Sequence, residues 1–269
     1  MDGGNQRQRL GLLLAGDIQS THGKASIVIA NNVFANIDDL EDVTSGIRSL
    51  LADDGVFVFE TSYLHDVVQG DLIDTIFHEH LCYFAVRPME AFFARHGMQL
   101  VKVDRVPTKG GSIRGTVQLE KGKRAVTPSV ETLKTMEADA KLNRLEAYAA
   151  LDKRLQTHKS KLRKLLAELK AEGKTIAAFG AAVGLTTMIY HFGLNDFLSF
   201  MVDDYAAKQN TYSPGHHIPV YAPEALYDRK PDYVLILAWR YADNIINKHK
   251  AYLDGGGHFV IPLPTLRMV

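Results

Sequence analysis

The chain has 269 residues, 46% of them hydrophobic and 23% charged, enough for one large or two moderate domains, each with its own core. Its 31 lysines and arginines balance 31 aspartates and glutamates, so no overall basic field exists to hold a nucleic-acid backbone or an anionic membrane. Cys82 is the only cysteine, which excludes an intramolecular disulfide and a zinc site of several thiolates, and fits the cytoplasm.

The opening residues hold a short apolar run, Leu10 to Ala15, without a small-residue cleavage pattern. No apolar run approaches the roughly 20 residues of a membrane helix. ASIVIANN then reads as a buried strand, and Asp38 to Leu51 as an amphipathic helix with an acidic first turn. Asp53-Asp54-Gly55 predicts a turn and VFVFE the next strand. Pro88 to His96 reads as a helix ended by Gly97, followed by the strands MQLVKVDRV and SIRGTVQLE. From Pro128 to Glu172 the sequence turns helical, with an approximate leucine stripe through 142, 145, 151, 155, 162, 165, 166 and 169 that predicts a connector of one or two helices. The remainder alternates again: the strand KTIAAFG, a helix to His191, and the strand FLSFMVDD. A Pro/Gly-rich loop and a helix near Pro223 to Tyr227 follow, then the strand DYVLILAW, the helix YADNIINKHKAYL and the strand GHFVIPLP. Such alternation predicts a parallel sheet covered by helices.

Four segments could carry chemistry. His78, Glu79 and His80 put two imidazoles and a carboxylate side by side, suited to general acid/base work, to a metal pair, or to a loop whose histidines merely hydrogen-bond. Lys109-Gly110-Gly111-Ser112-Ile113-Arg114 combines glycines that admit close approach with Ser and Arg donors; it also suits a plain turn. Gly180 and Gly184 follow an apolar strand, with Asp203 and Asp204 further on, but the spacing is G-x-x-x-G and not that of a dinucleotide fingerprint. The stiff loop Lys208 to Pro219, with Tyr212 in it, faces either a substrate or solvent.

FHEHLCYF, with FET before it and KGGSIR after it, resembles the catalytic domain of the S-adenosylmethionine-dependent nucleotide-sugar C-methyltransferases. ANNVFANIDDL resembles a strand-end segment of that family, and DDYAAKQNTYSPGHHIPV with PDYVLILAWRYADNI its C-terminal domain. The resemblance implies methyl transfer to a carbon beside a keto group of a nucleotide-linked deoxysugar. By the same resemblance His80 would remove the proton and Glu79 would orient it or bind sugar. Asn31, Asn32 and Val33 would lie beside the methyl donor. His78, Lys109, Gly111, Ser112, Arg114, Lys208 and Tyr212 would face the nucleotide sugar.

Three departures accompany the resemblance. No cysteine-rich zinc domain is present, so no zinc is expected. The family's first strand, glycine loop and ribose-binding acid for S-adenosylmethionine have no counterpart before ANNVFAN. Asn36 and Phe77 stand where the family commonly has His and Tyr. The expected fold is therefore α/β: a partial class I methyltransferase domain (1–124), a helical connector (125–172) and a Rossmann-like C-terminal domain (173–269). The expected activity is carbon methylation, impaired in these residues alone unless a second chain supplies the missing segment. The unpaired edge of an incomplete sheet is expected to bring a homo-oligomer such as a dimer, aggregation, or an N-terminal segment rearranged to cover it. A non-catalytic nucleotide-sugar-binding module and an NAD-dependent oxidoreductase are the rival readings. Neither nucleic acid nor membrane is an expected partner.

Overall fold

The computed structural model describes residues 10–269. Two compact units emerge: the first runs to Gln69 and resumes over His78–Tyr148, and the second comprises Gly70–Phe77 and Ala149–Val269. The sequence divided the chain instead near 124 and 172.

In the first unit, the apolar run after Leu10 opens a helix, α1 (Leu10–His22), followed by β1 (Ala25–Asn31) and α2 (Leu40–Leu50). Asp39 caps α2 by accepting the Asp42 N–H, satisfying a donor that the first turn leaves free. Two glycines let α1 and α2 touch: a Cβ on Gly46 would stand 2.3 Å from the Gly11 carbonyl oxygen. β2 (Leu51–Ser62) runs parallel to β1. The expected turn at Asp53–Gly55 lies inside β2, because Ala25 pairs with Leu51 and Ile27 with Val56, so that the intervening residues bulge out of register. Then come α3 (Leu64–Gln69), α4 (Val86–Arg95), β3 (Met98–Val106), β4 (Ser112–Leu119) and α5 (Pro128–Asp139). The sheet order is β1-β2-β4-β3, with β4 antiparallel to both neighbours.

Phenylalanines fill this core. The rings of Phe34, Phe59 and Phe93 stack with centroids 5.9 to 6.2 Å apart, and Phe57 packs at an angle to them. Gly115 on β4 makes room for them, since a Cβ there would meet the Phe59 ring at 2.1 Å. The first half of the expected connector belongs to this core: α5 buries Val130 and Leu133 against it. Strand β1 is packed on one face only. Val28 and Ala30 lean on the core, while Ile27 and Ile29 are 60% and 63% exposed. The reading of ASIVIANN as a buried strand therefore does not hold: Ala25, Val28 and Ala30 are partly buried and the other side chains are exposed.

The second unit takes up most of the long helix α6 (Leu145–Ala171), which buries Leu151, Leu155, Leu162, Leu166 and Leu169 as the leucine stripe predicts. The rest follows as β5 (Ile176–Phe179), α7 (Val183–Phe192), β6 (Met201–Val202), β7 (Thr211–Tyr212), β8 (Pro219–Tyr221), α8 (Ala225–Arg229), β9 (Tyr233–Ile236), α9 (Ala242–Lys248), α10 (Lys250–Asp254), β10 (His258–Ile261) and β11 (Arg267–Met268). The sheet order is β11-β10-β9-β5-β6-β8-β7. Its members pair in parallel except for the two edge strands, β7 and β11. This is the parallel α/β arrangement expected of the C-terminal part. The strand read into FLSFMVDD shrinks to Met201–Val202 because Asn195–Phe197 forms a 3-10 turn. No helix among the described residues is long and apolar enough to cross a membrane.

Candidate functional site

Four segments of the first unit meet at one end of its sheet. Strands β1 and β2 are parallel, so both finish at that end, with Asn31 opposite Glu60. The turn between β3 and β4 reaches the same end, since Ser62 pairs with Ser112. The fourth segment is held by its backbone: the N–H groups of Leu81 and Cys82 both donate to the Ala35 carbonyl, at 2.9 and 3.2 Å. Tyr63 pairs with Phe84, and Leu64 N–H donates to the Phe84 carbonyl. His78, Glu79 and His80 thus stand directly before a stretch tied to the loop that leaves β1. The outer end of a parallel pair is where open α/β sheets bind ligands.

Within this cluster His78 and Glu79 are exposed, whereas His80 is half-buried and meets the Tyr83 ring edge-on at 6.2 Å. Asn31, Asn32 and Val33 are exposed at the strand end. Asn32 takes a left-handed conformation, φ 53, and its N–H donates to the Glu60 carbonyl at 2.7 Å. Burial pushes the Cys82 thiol above its usual pKa, so near neutral pH it stays a thiol and competes poorly for an electrophile.

The glycine turn is built by two carboxylates to which the sequence assigned no role. Glu60, 5% exposed, accepts from Thr108 Oγ1 at 2.8 Å and from both Nε and Nη2 of Arg114 at 3.1 and 2.7 Å. The hydrogen bonds from Arg114 hold this carboxyl below the usual carboxylate range, with Thr108 helping and burial opposing. Asp66 accepts from Arg105 at 2.6 Å and lies 3.2 Å from the His65 ring. A Cβ on Gly111 would stand 2.3 Å from Asp66, which is why glycine, at φ 146, is required there. Ser112 is fully buried and its hydroxyl donates to the Thr108 carbonyl, so it shapes the turn. Lys109 is exposed at φ 54, and the Arg114 side chain, though paired, is half exposed; these two cations face outward at the sheet's end.

Beneath this end lies a buried carboxylate. Glu137, on α5, accepts from Tyr63 Oη at 3.0 Å and from the N–H groups of Val86 and Arg87 at the start of α4. Burial, chiefly, pushes the Tyr63 phenol far above its usual pKa, so it remains a donor.

Lys208 and Tyr212 lie in the second unit. They line a cavity of about 200 Å3 with Ala181, Thr186 and Pro214, beside the first turn of α7. Tyr212 is 65% exposed, and the Lys208 ammonium sits 3.9 Å from Asp203 and over the Tyr205 ring. The Asp203 carboxylate accepts from the N–H groups of Ala181 and Tyr205, at 2.6 and 2.8 Å, and so closes the glycine turn itself. An acid engaged in this way is poorly placed to bind a dinucleotide ribose.

Asn31, Asn32 and Val33 offer an exposed strand end that would flank S-adenosylmethionine, while Glu60, the acid nearest to them along the sheet, is occupied by Arg114 and Thr108. Among the described residues no three His, Cys, Asp or Glu side chains converge as a metal site requires.

Comparison with known proteins agrees with the motif reading. The C-methyltransferase C-terminal domain family matches residues 107–264. The C-methyltransferase NovU of Streptomyces niveus is 33% identical over 254 residues, which are 94% of this chain and 60% of that protein. The chain thus spans less than two thirds of the relative it matches. A solved S-adenosylmethionine-dependent methyltransferase from Anabaena variabilis is 14% identical over 41% of this chain and 55% of its own, with a TM-score of 0.32, a likeness too slight to bear on the fold. With a family match across more than half of its length and a relative of this identity across nearly all of it, the chain belongs to the C-methyltransferase family.

Proposed function

We propose that this chain carries the base and the sugar-facing side of an enzyme that methylates a carbon beside the ketone of a nucleotide-linked deoxysugar. The observation that supports this reading is the tether of Leu81 and Cys82, the residues directly after the His-Glu-His run, to Ala35 in the loop that leaves β1. A proton next to a ketone is acidic enough for an imidazole held in place. His80 takes that proton on a ring nitrogen, the C–H electrons move into the carbonyl, and the substrate becomes an enolate. Lys109 and Arg114, the cations at the same end of the sheet, would receive the nucleotide's phosphates. Glu79 orients the imidazole or a sugar hydroxyl. S-adenosylmethionine, when bound, supplies an electrophilic methyl group, and Asn31, Asn32 and Val33 would flank it. The rest of its site would come from residues outside these 269, in the same polypeptide or in a second chain.

His80 is preferred to His78 because it is half-buried and braced by Tyr83, whereas His78 is exposed. The test is methyl transfer by a polypeptide that includes a donor-binding segment. His80→Asn should lower turnover about 100-fold or more, as loss of a general base does, and His78→Asn by much less. Unchanged turnover in His80→Asn would overturn the assignment. A second reading, a sugar-nucleotide-binding module without chemistry, draws on the cavity that Lys208 and Tyr212 line within the second unit. Tight binding of the nucleotide sugar with no methylation by the longer polypeptide would favour it.

A further inference from the structure

The sheet of the second unit has a ligand crevice that the chain fills with its own backbone. In an open parallel sheet the crevice lies beyond the carboxyl ends of the strands, where successive connections leave in opposite directions. Here that point is between β5 and β9: β5 connects through α7 to β6 on one side, and β9 connects to β10 on the other. The lips of the crevice are the first turn of α7 and the residues Trp239–Tyr241 that follow β9.

The 3-10 turn Ile73–Thr75 is seated between these lips. On the α7 side, a Cβ on Gly184 would stand 1.9 Å from the Asp74 carbonyl oxygen and 3.2 Å from the Phe77 ring, so only glycine admits the segment. On the β9 side, Arg240 grips the Asp74 carboxylate at 2.8 Å, the two side chains being 20% and 4% exposed. Burial, chiefly, pushes the Asp74 carboxyl up, and the Arg240 guanidinium opposes it. A second carboxylate anchors the start of the segment: Asp71, itself buried, accepts from Arg154 Nε at 2.8 Å and lies 3.0 Å from His158 Nε2, both on α6. The glycine turn that resembled a dinucleotide loop thus already has an occupant.

We propose that this crevice is a receptor for residues 71–77, and that Asp74 and Arg240 are positioning residues for His78, Glu79 and His80. The chain leaves the crevice at Phe77 and enters the histidine run at the next residue. On the far side of that run, Leu81 and Cys82 are fixed to Ala35. The segment that ends at Phe77 is thus fixed within the second unit by the Asp74–Arg240 pair, by the contacts of Asp71 with Arg154 and His158, and by the close approach at Gly184. The role of His80 as base is taken from the preceding proposal, but the anchoring itself is tested without any methyl transfer.

The test follows the imidazole resonances of the isotopically labelled full chain through a pH titration. Asp74→Asn and Arg240→Ala should displace the His78 and His80 ring signals and their titration midpoints, while His22 and His96 keep theirs. Arg240→Lys should bring them part of the way back. Superimposable His78 and His80 curves in a folded Asp74→Asn protein would overturn the proposal, and the methyltransferase reading would survive. Should these variants not fold, amide exchange in the unaltered chain decides. Thr75 and Ile76 should exchange with the slow amides of β5 and β9; rates within about tenfold of an unprotected peptide would refute the anchoring.

Discussion

The second unit closes its sheet at both edges with two-residue antiparallel strands, β7 and β11. The first unit ends on β1, seven residues long, parallel to its one neighbour among the described residues, with Ile27 and Ile29 more than half exposed. Short edge strands are a common protection against unwanted pairing, and a long neutral one invites it, since from Ser26 to Val33 there is no charge to repel a partner strand. The contrast separates what each unit can do alone. The second presents a finished sheet whose crevice is filled from within. The first presents the candidate histidine cluster at the end of a sheet whose β1 edge is unpaired among the described residues.

The comparison breaks most readily at Glu137. Its carboxylate is the acceptor for a phenol and two backbone N–H groups, so Glu137→Leu leaves three donors unmet, those of Tyr63 and Val86 buried and that of Arg87 partly so. The expected loss is about 3 kcal/mol or more from the unfolding free energy of the first unit, read by urea denaturation with probes placed in each unit. A loss under about 1 kcal/mol would mean that solvent reaches those donors.

A smaller effect belongs to the second unit and to pH. Burial, aided by Lys248, holds the His249 imidazole below its usual 6.5. Below that value the unfolded chain takes up a proton that the folded one refuses. The His249 contribution is thus complete above about pH 6.5 and is lost as pH falls toward the depressed folded value. The melting temperature of the second unit should fall over that window, and His249→Gln should flatten the slope. An unchanged slope would place the titration elsewhere.

The smallest change in stability accompanies the sharpest change in association. Ile27 and Ile29 project into solvent, so replacing both with lysine should alter the unfolding free energy by no more than about 0.5 kcal/mol each. The unaltered chain should self-associate in light scattering, and the doubly substituted chain should be monomeric. A monodisperse monomer before substitution would show that the edge is protected by something else.

Periodicity made much of this fold legible. The leucines of α6, the Asp39-capped α2 and the central strands β5, β9 and β10 carry strong apolar patterns, and all are found near their expected places. Strands of two residues, such as β7 and β11, offer no period to read. The Asp53–Gly55 turn was misplaced because a bulge and a turn share the same residues. At the candidate site the motifs named His80, Arg114 and the glycines but gave Glu60, Asp66 and Asp74 no role. A carboxylate acquires its role from a cation distant in sequence, Arg114, Arg105 or Arg240, and no local spacing encodes that pairing.

The most direct measurement removes the methyl donor altogether. The chain is incubated in heavy water with a nucleotide-linked keto-deoxysugar, and deuterium entering the carbon beside the ketone is followed by NMR. A base at His80 predicts wash-in that His80→Asn slows about 100-fold while His78→Asn leaves most of it. Wash-in at the same rate with and without the His80 imidazole would contradict the assignment of this residue as the base.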